Sequence, residues 1–246
     1  MSIEDTAPPA PFDTTGVLTA DIDFDKRIDV VYSTPQVYAT WLNLGEGRYS
    51  REVRTDGAKY QGSTLLFSSL GVQLADLNGD RLSDVAQVTP TRVIYAASRG
   101  YGRFAPSVEM VIPDHVLTDG ANGQVGRAKL ADISGDGLAD LVVERANGAE
   151  LWYWLNLGND TLSSHYVVKD LPPVYGLGAV TRWADLNGNG TTDLIYADSS
   201  ATPRLRTIDL ALLAGGTAFP NLLTEIDNGL GVLTRIRYRS STDYRL

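Results

Sequence analysis

Oxygen-bearing side chains recur at alternate positions in four short stretches of the sequence. In "DLNGDRLSD" they occupy positions 1, 3, 5 and 9, counted from the first aspartate. Calcium binds six to eight oxygen ligands, and a short loop can supply them from alternate side chains and a backbone carbonyl. The spacing therefore predicts four calcium loops, each completed by the carbonyl of residue 7. The predicted ligands are Asp21, Asp23, Asp25, the Arg27 carbonyl and Asp29 in loop 1; Asp76, Asn78, Asp80, the Leu82 carbonyl and Asp84 in loop 2; Asp132, Ser134, Asp136, the Leu138 carbonyl and Asp140 in loop 3; and Asp185, Asn187, Asn189, the Thr191 carbonyl and Asp193 in loop 4.

The four loops differ in charge and in glycine content. Loop 1 has Phe24 and Lys26 at positions 4 and 6 and carries four carboxylates, against three, three and two in the later loops. We therefore expect loop 4 to bind calcium most weakly. The glutamate at position 12 of a helix–loop–helix calcium site is missing, which excludes that type. A polar turn, in which Asp and Asn cap their own backbone, is the alternative. Glycines favour a turn at positions 4 and 6 of the later loops: Gly79, Gly135, Gly137, Gly188 and Gly190.

The loops mark an internal repeat. Their first aspartates lie 55, 56 and 53 residues apart, and each of the first three loops is followed by an aromatic and aliphatic run with a glycine-rich turn. Residues 28–32, 138–143 and 194–196 read as short strands rich in β-branched and aromatic residues. The run "IDLALLAG" could form one helical turn, but its place in the repeat favours a strand. Repeats of this size predict an all-β propeller with four recognisable blades, to which the two termini could add an imperfect fifth.

Composition narrows the possible functions. The formal charge of −9 makes nucleic acid a poor partner, because phosphate binding requires basic patches. The chain has no cysteine, which excludes disulfides, cysteine-zinc sites and a cysteine nucleophile. No stretch of 18 apolar residues predicts a membrane span. The first residues, "MSIEDTAPPAPFDTTG", have neither the basic region nor the apolar region of a signal peptide.

No catalytic constellation is recognisable, so we predict that the protein is not an enzyme. His115 and His165 lie in different repeats without a nearby serine or aspartate in a triad-like context. The paired carboxylates recur, whereas a catalytic acid/base pair should occur once, in two different environments. The four tryptophans could stack on sugars, but their positions in predicted strands favour packing between blades: Trp41, Trp152, Trp154 and Trp183.

The loop motifs resemble a known family. "ADLNGDRLSD" and "ADISGDGLAD" are similar to FG-GAP or VCBS repeats, the calcium-loop blades of integrin-α-type β-propellers. This resemblance extends over about residues 18–197 and implies the propeller fold. It implies little about function, because such propellers serve adhesion, sugar binding and scaffolding alike.

The C-terminal segment resembles a more specific group. "NLLTEIDNGLGVLTRIRYRSSTDYRL" is similar to the stretch that follows the repeats in the B component of Tc insecticidal toxin complexes and in SpvB-type virulence proteins. "DNG" at Asp227 is also a hairpin signal, with Val232, Thr234, Ile236 and Tyr238 on one face of the second strand. The residues that carry the resemblance are Leu222, Leu223, Thr224, Ile226, Asn228, Gly229, Leu230 and Gly231, with Thr234, Ile236, Tyr238, Ser240 and Ser241 in the continuation.

This resemblance implies a docking role. In Tc toxins the propeller of the B component seats on the pore-forming A component, so the expected partners are other protein subunits of a secreted toxin complex. The chain lacks the large flanking regions of those proteins, and we therefore expect an excised piece without a shell or cargo role. The main alternative is an integrin-like adhesion or lectin module that binds glycans or a host surface. The predicted organisation is a leader at 1–15, propeller repeats at 16–220 and a C-terminal hairpin at 221–246.

Overall fold

The computed structural model describes residues 15–121, 123–144, 150–169, 181–197, 204–214 and 222–239. Nearly all regular structure in these ranges is β-strand, arranged as four blade sheets. This arrangement confirms the all-β propeller with four blades. Within the same ranges, none of the helices has the length and apolar character needed to cross a membrane.

Blade 1 is a four-stranded antiparallel sheet with two short hairpins. Its strand order is β1-β2-β3-β6, and the hairpins β4–β5 and β7–β8 lie on either side of β6 in the chain. The strands are β1 (Val17–Ala20), β2 (Asp29–Ser33), β3 (Tyr38–Trp41), β4 (Asn43–Gly45), β5 (Arg48–Tyr49), β6 (Val53–Thr55), β7 (Lys59–Tyr60) and β8 (Ser63–Thr64).

The next three blades repeat the first three strands of this sheet. Blades 2 and 3 add a fourth strand, whereas three strands of blade 4 are described. A 3-10 helix (Val125–Arg127) precedes blade 3. The strands are β9 (Val72–Ala75), β10 (Asp84–Val88), β11 (Arg92–Ala96) and β12 (Val108–Val111) in blade 2; β13 (Ala128–Ala131), β14 (Asp140–Glu144), β15 (Leu151–Trp154) and β16 (Tyr166–Val168) in blade 3; and β17 (Thr181–Ala184), β18 (Asp193–Ala197) and β19 (Leu205–Ile208) in blade 4.

The second and third strands pair in the same register in every blade. Each predicted calcium loop connects the first strand to the second. The aspartate at position 9 begins the second strand, so position 10 is the second residue of that strand. That residue pairs with an equivalent residue of the third strand in each blade. The pairs are Val30–Trp41, Val85–Ala96, Leu141–Trp154 and Leu194–Ile208.

Successive blades pack face to face through apolar side chains. The pairs Val85–Ala96, Leu141–Trp154 and Leu194–Ile208 all lie in clusters with residues of the preceding blade. We call this face of each sheet the incoming face. The opposite face, which carries the position 11 residue, packs against the following blade, and we call it the outgoing face. One sheet cannot bury both faces alone, so stacking supplies the core.

The segment "IDLALLAG" is not a strand throughout, which corrects the sequence prediction. Residues Leu205–Ile208 form β19, but the chain then enters helix α1 (Leu210–Ala214). The run of Leu and Ala has high helix propensity. Asp209 stands just before the helix, and its Oδ1 accepts the N–H of Leu212 at 3.4 Å, as a helix-capping side chain does. Local propensity and a cap therefore override the strand pattern of the repeat.

The C-terminal hairpin forms as the sequence predicts. Strands β20 (Glu225–Asp227) and β21 (Leu233–Arg235) pair antiparallel. The side chain of Asn228 accepts the N–H groups of Leu230 and Val232 at 2.8 and 3.0 Å and so holds the turn. Of the predicted leader at 1–15 only Thr15 is described, and the terminal residues 1–14 and 240–246, on which a fifth blade from the two termini would depend, lie outside the described residues. The three domain boundaries stay a prediction.

Candidate metal centre

The aspartate at position 9 of each loop is part of the buried framework. Asp29, Asp84 and Asp140 have no exposed surface, and Asp193 is 2% exposed. In every loop Oδ2 of this aspartate accepts the N–H of the position 2 residue, at 2.9 to 3.0 Å. In the first three blades Oδ1 also accepts an N–H beyond the third strand: Asn43 at 2.7 Å, Ser98 at 2.8 Å and Asn156 at 2.7 Å.

Burial raises the pKa of these aspartates above the ordinary 3.8. Desolvation raises the pKa of Asp84 to about 6 and that of Asp140 to about 7, although the accepted backbone hydrogen bonds act in the opposite direction. The same cause raises the pKa of Asp29 and Asp193. The four carboxylates are thus acceptors whose charge is poorly solvated, and a bound cation would compensate that charge.

The aspartate at position 1 organises the turn itself. Its Oδ2 accepts the N–H of position 6 in all four loops, at 2.7 to 3.0 Å. Positions 4 and 6 have left-handed backbones throughout, with φ of 64° at Phe24 and 74° at Lys26 in the loop that lacks glycine there. The turn is therefore imposed by the hydrogen bonds of the loop, and glycine only makes it less costly.

The side chain at position 5 forms a hydrogen bond with the residue that carries the predicted carbonyl ligand. The Oδ1 of Asp25, Asp80, Asp136 or Asn189 accepts the N–H of the residue two positions later, at 2.8 to 2.9 Å. The donated N–H belongs to the residue whose carbonyl is the predicted ligand in each loop: Arg27, Leu82, Leu138 and Thr191. The polar-turn interpretation is therefore correct for the loop backbone. It does not conflict with a cation, because each carboxylate oxygen has further lone pairs.

Loop 1 fits a divalent cation best. Ligand atoms of Asp21, Asp23 and Asp29 all lie within 4.8 Å of one another. Oδ1 of Asp23 is buried without a hydrogen-bond partner. Burial, together with the neighbouring Asp25 carboxylate, raises the pKa of Asp23. An unpaired carboxylate oxygen among other carboxylates is unfavourable unless a cation or a proton accompanies it. Carboxylate oxygens are also the donor set that calcium prefers.

Loop 4 contains an acidic residue that the motif did not reveal. Oδ2 of Asp209 accepts N–H groups from the side chains of Asn187 at 2.9 Å and Asn189 at 3.4 Å. Oδ1 of Asp193 is buried without a hydrogen-bond partner, and its carboxylate is near enough for Asp209 to raise its pKa further, after burial. The amides that replace carboxylates in this loop thus have an internal partner. Asp209 lies 16 residues beyond the motif, so only its placement after β19 connects it to the loop.

The two histidines meet in the structure although they belong to different repeats. Their ring centroids are 6.1 Å apart, and the ring of Trp152 lies 4.3 Å from His115 and 5.5 Å from His165. The indole N–H of Trp152 donates to Glu150 at 3.4 Å. Trp152 is half-buried, as is Trp183, whereas Trp41 and Trp154 are buried in the interior as expected for packing residues.

Comparison with known proteins agrees with this architecture. A family model of the FG-GAP-like repeat matches residues 132–196, which include loops 3 and 4. A search of curated protein sequences finds no significant match.

Solved structures with a similar fold include toxin components and a lectin. A Tc holotoxin pore of Photorhabdus luminescens aligns with 98% of this chain and 10% of its own chain, at 21% identity and a TM-score of 0.73. A TcdB2-TccC3 structure aligns with 84% of this chain and 9% of its own, at 21% identity and a TM-score of 0.58. A lectin of Agrocybe aegerita that recognises terminal N-acetylglucosamine aligns with 78% of this chain and 52% of its own, at 22% identity and a TM-score of 0.53.

The chain therefore spans about a tenth of the toxin chains that it resembles. Identities near 20% show a shared fold and leave the activity of the whole protein open. Together with the four stacked blade sheets, the comparisons show a β-propeller fold, in which residues 132–196 match the FG-GAP-like repeat.

Proposed function

We propose that this chain is a non-enzymatic docking module of a secreted Tc-toxin-like or SpvB-like bacterial assembly, stabilised by calcium in its blade loops. The extent of the similarity to the Photorhabdus structure supports the toxin assignment most, since it includes 98% of the chain. The C-terminal hairpin that carries the sequence resemblance also forms, between β20 and β21. The expected partner is the pore-forming subunit of such an assembly.

Binding to that subunit tests the docking role. The purified chain would be immobilised, and the pore-forming Tc subunit encoded in the same genome would be applied in biolayer interferometry. We expect saturable binding that persists in moderate salt. A deletion of the hairpin residues 222–239 is the matched variant, since these residues follow the blades. Absence of binding by the folded chain would contradict the docking role.

Calcium is proposed to act as a structural ion, first of all in loop 1. Asp21, Asp23, Asp25 and Asp29 and the Arg27 carbonyl would hold it, and the ion would neutralise carboxylates that the fold brings together. Loops 2 and 3 offer three carboxylates each and loop 4 offers two, so we propose weaker binding there. Because the folded state would bind the ion and the unfolded chain would not, calcium should raise the melting temperature.

The variant Asp23→Asn separates a ligand from a merely structural residue. Without calcium, the substitution removes an unpaired buried charge, so the melting temperature should stay the same or rise. With calcium, the stabilisation should decrease, because one ligand oxygen loses its charge. Differential scanning calorimetry in calcium and in chelator would measure both shifts. Asp56→Asn, at an exposed position outside the loops, is the control. An equal calcium shift in wild type and Asp23→Asn would exclude loop 1 as a site.

A lectin role is the second candidate function. It is favoured by the similarity to the N-acetylglucosamine lectin and by the half-buried Trp152, whose ring lies beside two histidines and Glu150. An aromatic ring can stack on a sugar, and polar groups beside the ring can form hydrogen bonds with the sugar hydroxyls. A glycan array would test this function. Sugar binding that Trp152→Ala abolishes and Trp183→Ala retains would favour the lectin role over docking.

A further inference from the structure

The two histidines of this chain lie side by side at the junction of blades 2 and 3. They are the only imidazoles among its 246 residues. His115 follows β12 of blade 2, and His165 directly precedes β16 of blade 3. Both residues are half-buried, and their rings have centroids 6.1 Å apart with planes at 47°. All the imidazole nitrogen that the sequence can supply is therefore at one place.

The segment that carries His115 is held on both sides of that residue. The N–H groups of Ile112 and Leu117 donate to carbonyls of the hairpin between β10 and β11, at 2.9 and 2.8 Å, and both side chains are buried. The indole N–H of Trp154 donates to the carbonyl of Pro113 at 3.2 Å, which connects the segment to blade 3. The backbone around His115 is thus bonded to both blades.

The backbone around His165 is fixed as well. Two residues earlier, the Oγ of Ser163 accepts the N–H of Leu155 at 2.9 Å, and the N–H of Ser163 donates to the Leu155 carbonyl at 2.8 Å. One residue later, Tyr166 pairs with Tyr153 in the sheet, and their rings stack with centroids 4.9 Å apart. Side chains on such supports need little reorganisation to bind a ligand.

Both imidazoles also pack on the indole ring of Trp152. The centroid of this ring lies 4.3 Å from that of His115, with the planes at 88°, and 5.5 Å from that of His165. The buried ring of Trp154 lies 6.5 Å from His115 and 5.8 Å from His165. Glu150 accepts the N–H of Trp152 at 3.4 Å, so a carboxylate stands beside the same indole. The aromatic contacts restrict the orientations of the two imidazoles.

The separation of the two rings suits a shared metal ion. With metal–nitrogen bonds of about 2.0–2.1 Å, two imidazoles on one ion have their centroids about 5 to 6 Å apart. The observed 6.1 Å is close to that distance. Imidazole nitrogen is a ligand for zinc, nickel and copper, whereas calcium prefers the oxygen donors that the blade loops supply.

We propose that His115 and His165 together bind one divalent transition-metal ion of the zinc, nickel and copper class, and that this ion joins blade 2 to blade 3. Each histidine supplies one ring nitrogen, and water completes the coordination. The Glu150 carboxylate beside Trp152 adds negative charge that favours a cation. This inference depends neither on the docking partner nor on calcium in the blade loops.

Nickel titration of the tag-free chain, followed by tryptophan fluorescence, tests the proposal. Excess calcium in the buffer competes for the oxygen donors of the loops. Nickel is paramagnetic and quenches nearby indoles, so the emission of Trp152 and Trp154 should fall to a plateau. Trp41 and Trp183 lie on blades 1 and 4 and should supply the emission that remains.

Phenylalanine variants separate ligation from packing. His115→Phe and His165→Phe keep an aromatic ring against Trp152 but remove the nitrogen. Each should raise the nickel concentration at half-quenching by at least about tenfold, since even changes outside the first ligands of a metal site cost that much. Tyr166→Phe, at an exposed position next to His165, is the matched control and should leave the midpoint unchanged.

Thermal melts with zinc give a second readout. Zinc should raise the melting temperature of the wild type and of Tyr166→Phe but not that of the two histidine variants, because only a folded chain with both imidazoles binds it. Circular dichroism spectra would establish that the variants fold. A wild-type emission that nickel does not saturably quench overturns the proposal. Equal midpoints in the wild type and either histidine variant also overturn it, and neither result bears on binding to the pore-forming subunit.

Discussion

At the scale of single residues, the aspartate at position 9 has two roles. As a hydrogen-bond acceptor it links the loop to the residues beyond the third strand in the first three blades, and as a proposed ligand it would bind the cation. Asp140 illustrates the first role, because it accepts the N–H groups of Ile133 at 3.0 Å, Ser134 at 3.2 Å and Asn156 at 2.7 Å. A loop aspartate of the motif can therefore be essential to the fold whether or not an ion is bound.

Replacing Asp140 by asparagine should destabilise the chain even without calcium. An amide has one acceptor oxygen, so at least one buried N–H loses its partner, at a cost of about 1–3 kcal/mol. Urea denaturation in chelator would measure the loss. Asp136→Asn is the control, because its side chain is more exposed and the remaining oxygen can still accept the N–H of Leu138. Equal effects of the two substitutions would contradict the structural role of Asp140.

At the scale of elements, side chains and backbone groups connect neighbouring blades. Gln73 on β9 accepts the N–H of Leu130 at 3.0 Å and donates to the carbonyl of Ala128 at 3.3 Å, both on β13. Asn156 of blade 3 donates to the carbonyl of Leu77, at position 2 of the second loop, at 2.9 Å. These bonds join the inner strands and loops of adjacent blades. A change in one loop can therefore alter the hydrogen bonds of the adjacent blade.

Gln73→Met should weaken the junction between blades 2 and 3. The side chains are similar in size, but methionine leaves the two backbone groups of β13 without their partner, at about 1–3 kcal/mol for a partly buried pair. Chemical denaturation would report the change. Gln87→Met removes a single bond to the Leu70 carbonyl near the surface and should cost less. If both variants unfold at the same denaturant concentration, the bridge has no net effect.

Asp209→Ala should lower stability by about 1 kcal/mol, because it removes a helix cap and the acceptor of the Asn187 and Asn189 amides. Calcium stabilisation through loop 1 should remain. Melting curves with and without calcium would separate the two effects, with Asp119→Ala as a surface control. A lost calcium shift would mean that Asp209 contributes to the ion site that dominates stability.

At the scale of the whole molecule, the acidic loops make stability depend on pH. The pKa values of Asp84 and Asp140 are about 6 and about 7 in the folded chain, against 3.8 for an exposed aspartate. Between those values the unfolded chain has released protons that the folded chain retains. Raising the pH therefore favours unfolding in this window.

The calcium-free chain should consequently become less stable as the pH rises from about 4 to about 7, and little more should be lost above that. Calcium should reduce the loss, because it binds the ionised carboxylates. Thermal melts in metal-depleted buffers across this range would measure the trend. A melting temperature that rises steadily with pH in the absence of calcium would contradict the raised pKa values.

Much of the fold could be predicted from the sequence because the same loop and strand pattern recurs four times. The alternate acids, the strands behind them and the hairpin at Asn228 are all local patterns, and each appears in the structure. The helix at Leu210–Ala214 could not be separated from a strand, since five apolar residues suit either state until a cap is recognised. The contribution of Asp209 to loop 4 depends on a strand pairing and not on a motif.

By itself the sequence determined the spacing of oxygen donors, the number of recognisable blades and the residue pattern of each blade face, since these follow from local order along the chain. Only the tertiary structure decided which donors stand together, that Asp23 has an unpaired oxygen, and that His115 and His165 meet beside Trp152. The physical reason is that burial and ligand geometry depend on neighbours distant in sequence. Identical motifs therefore acquire different environments according to the blade that precedes or follows them.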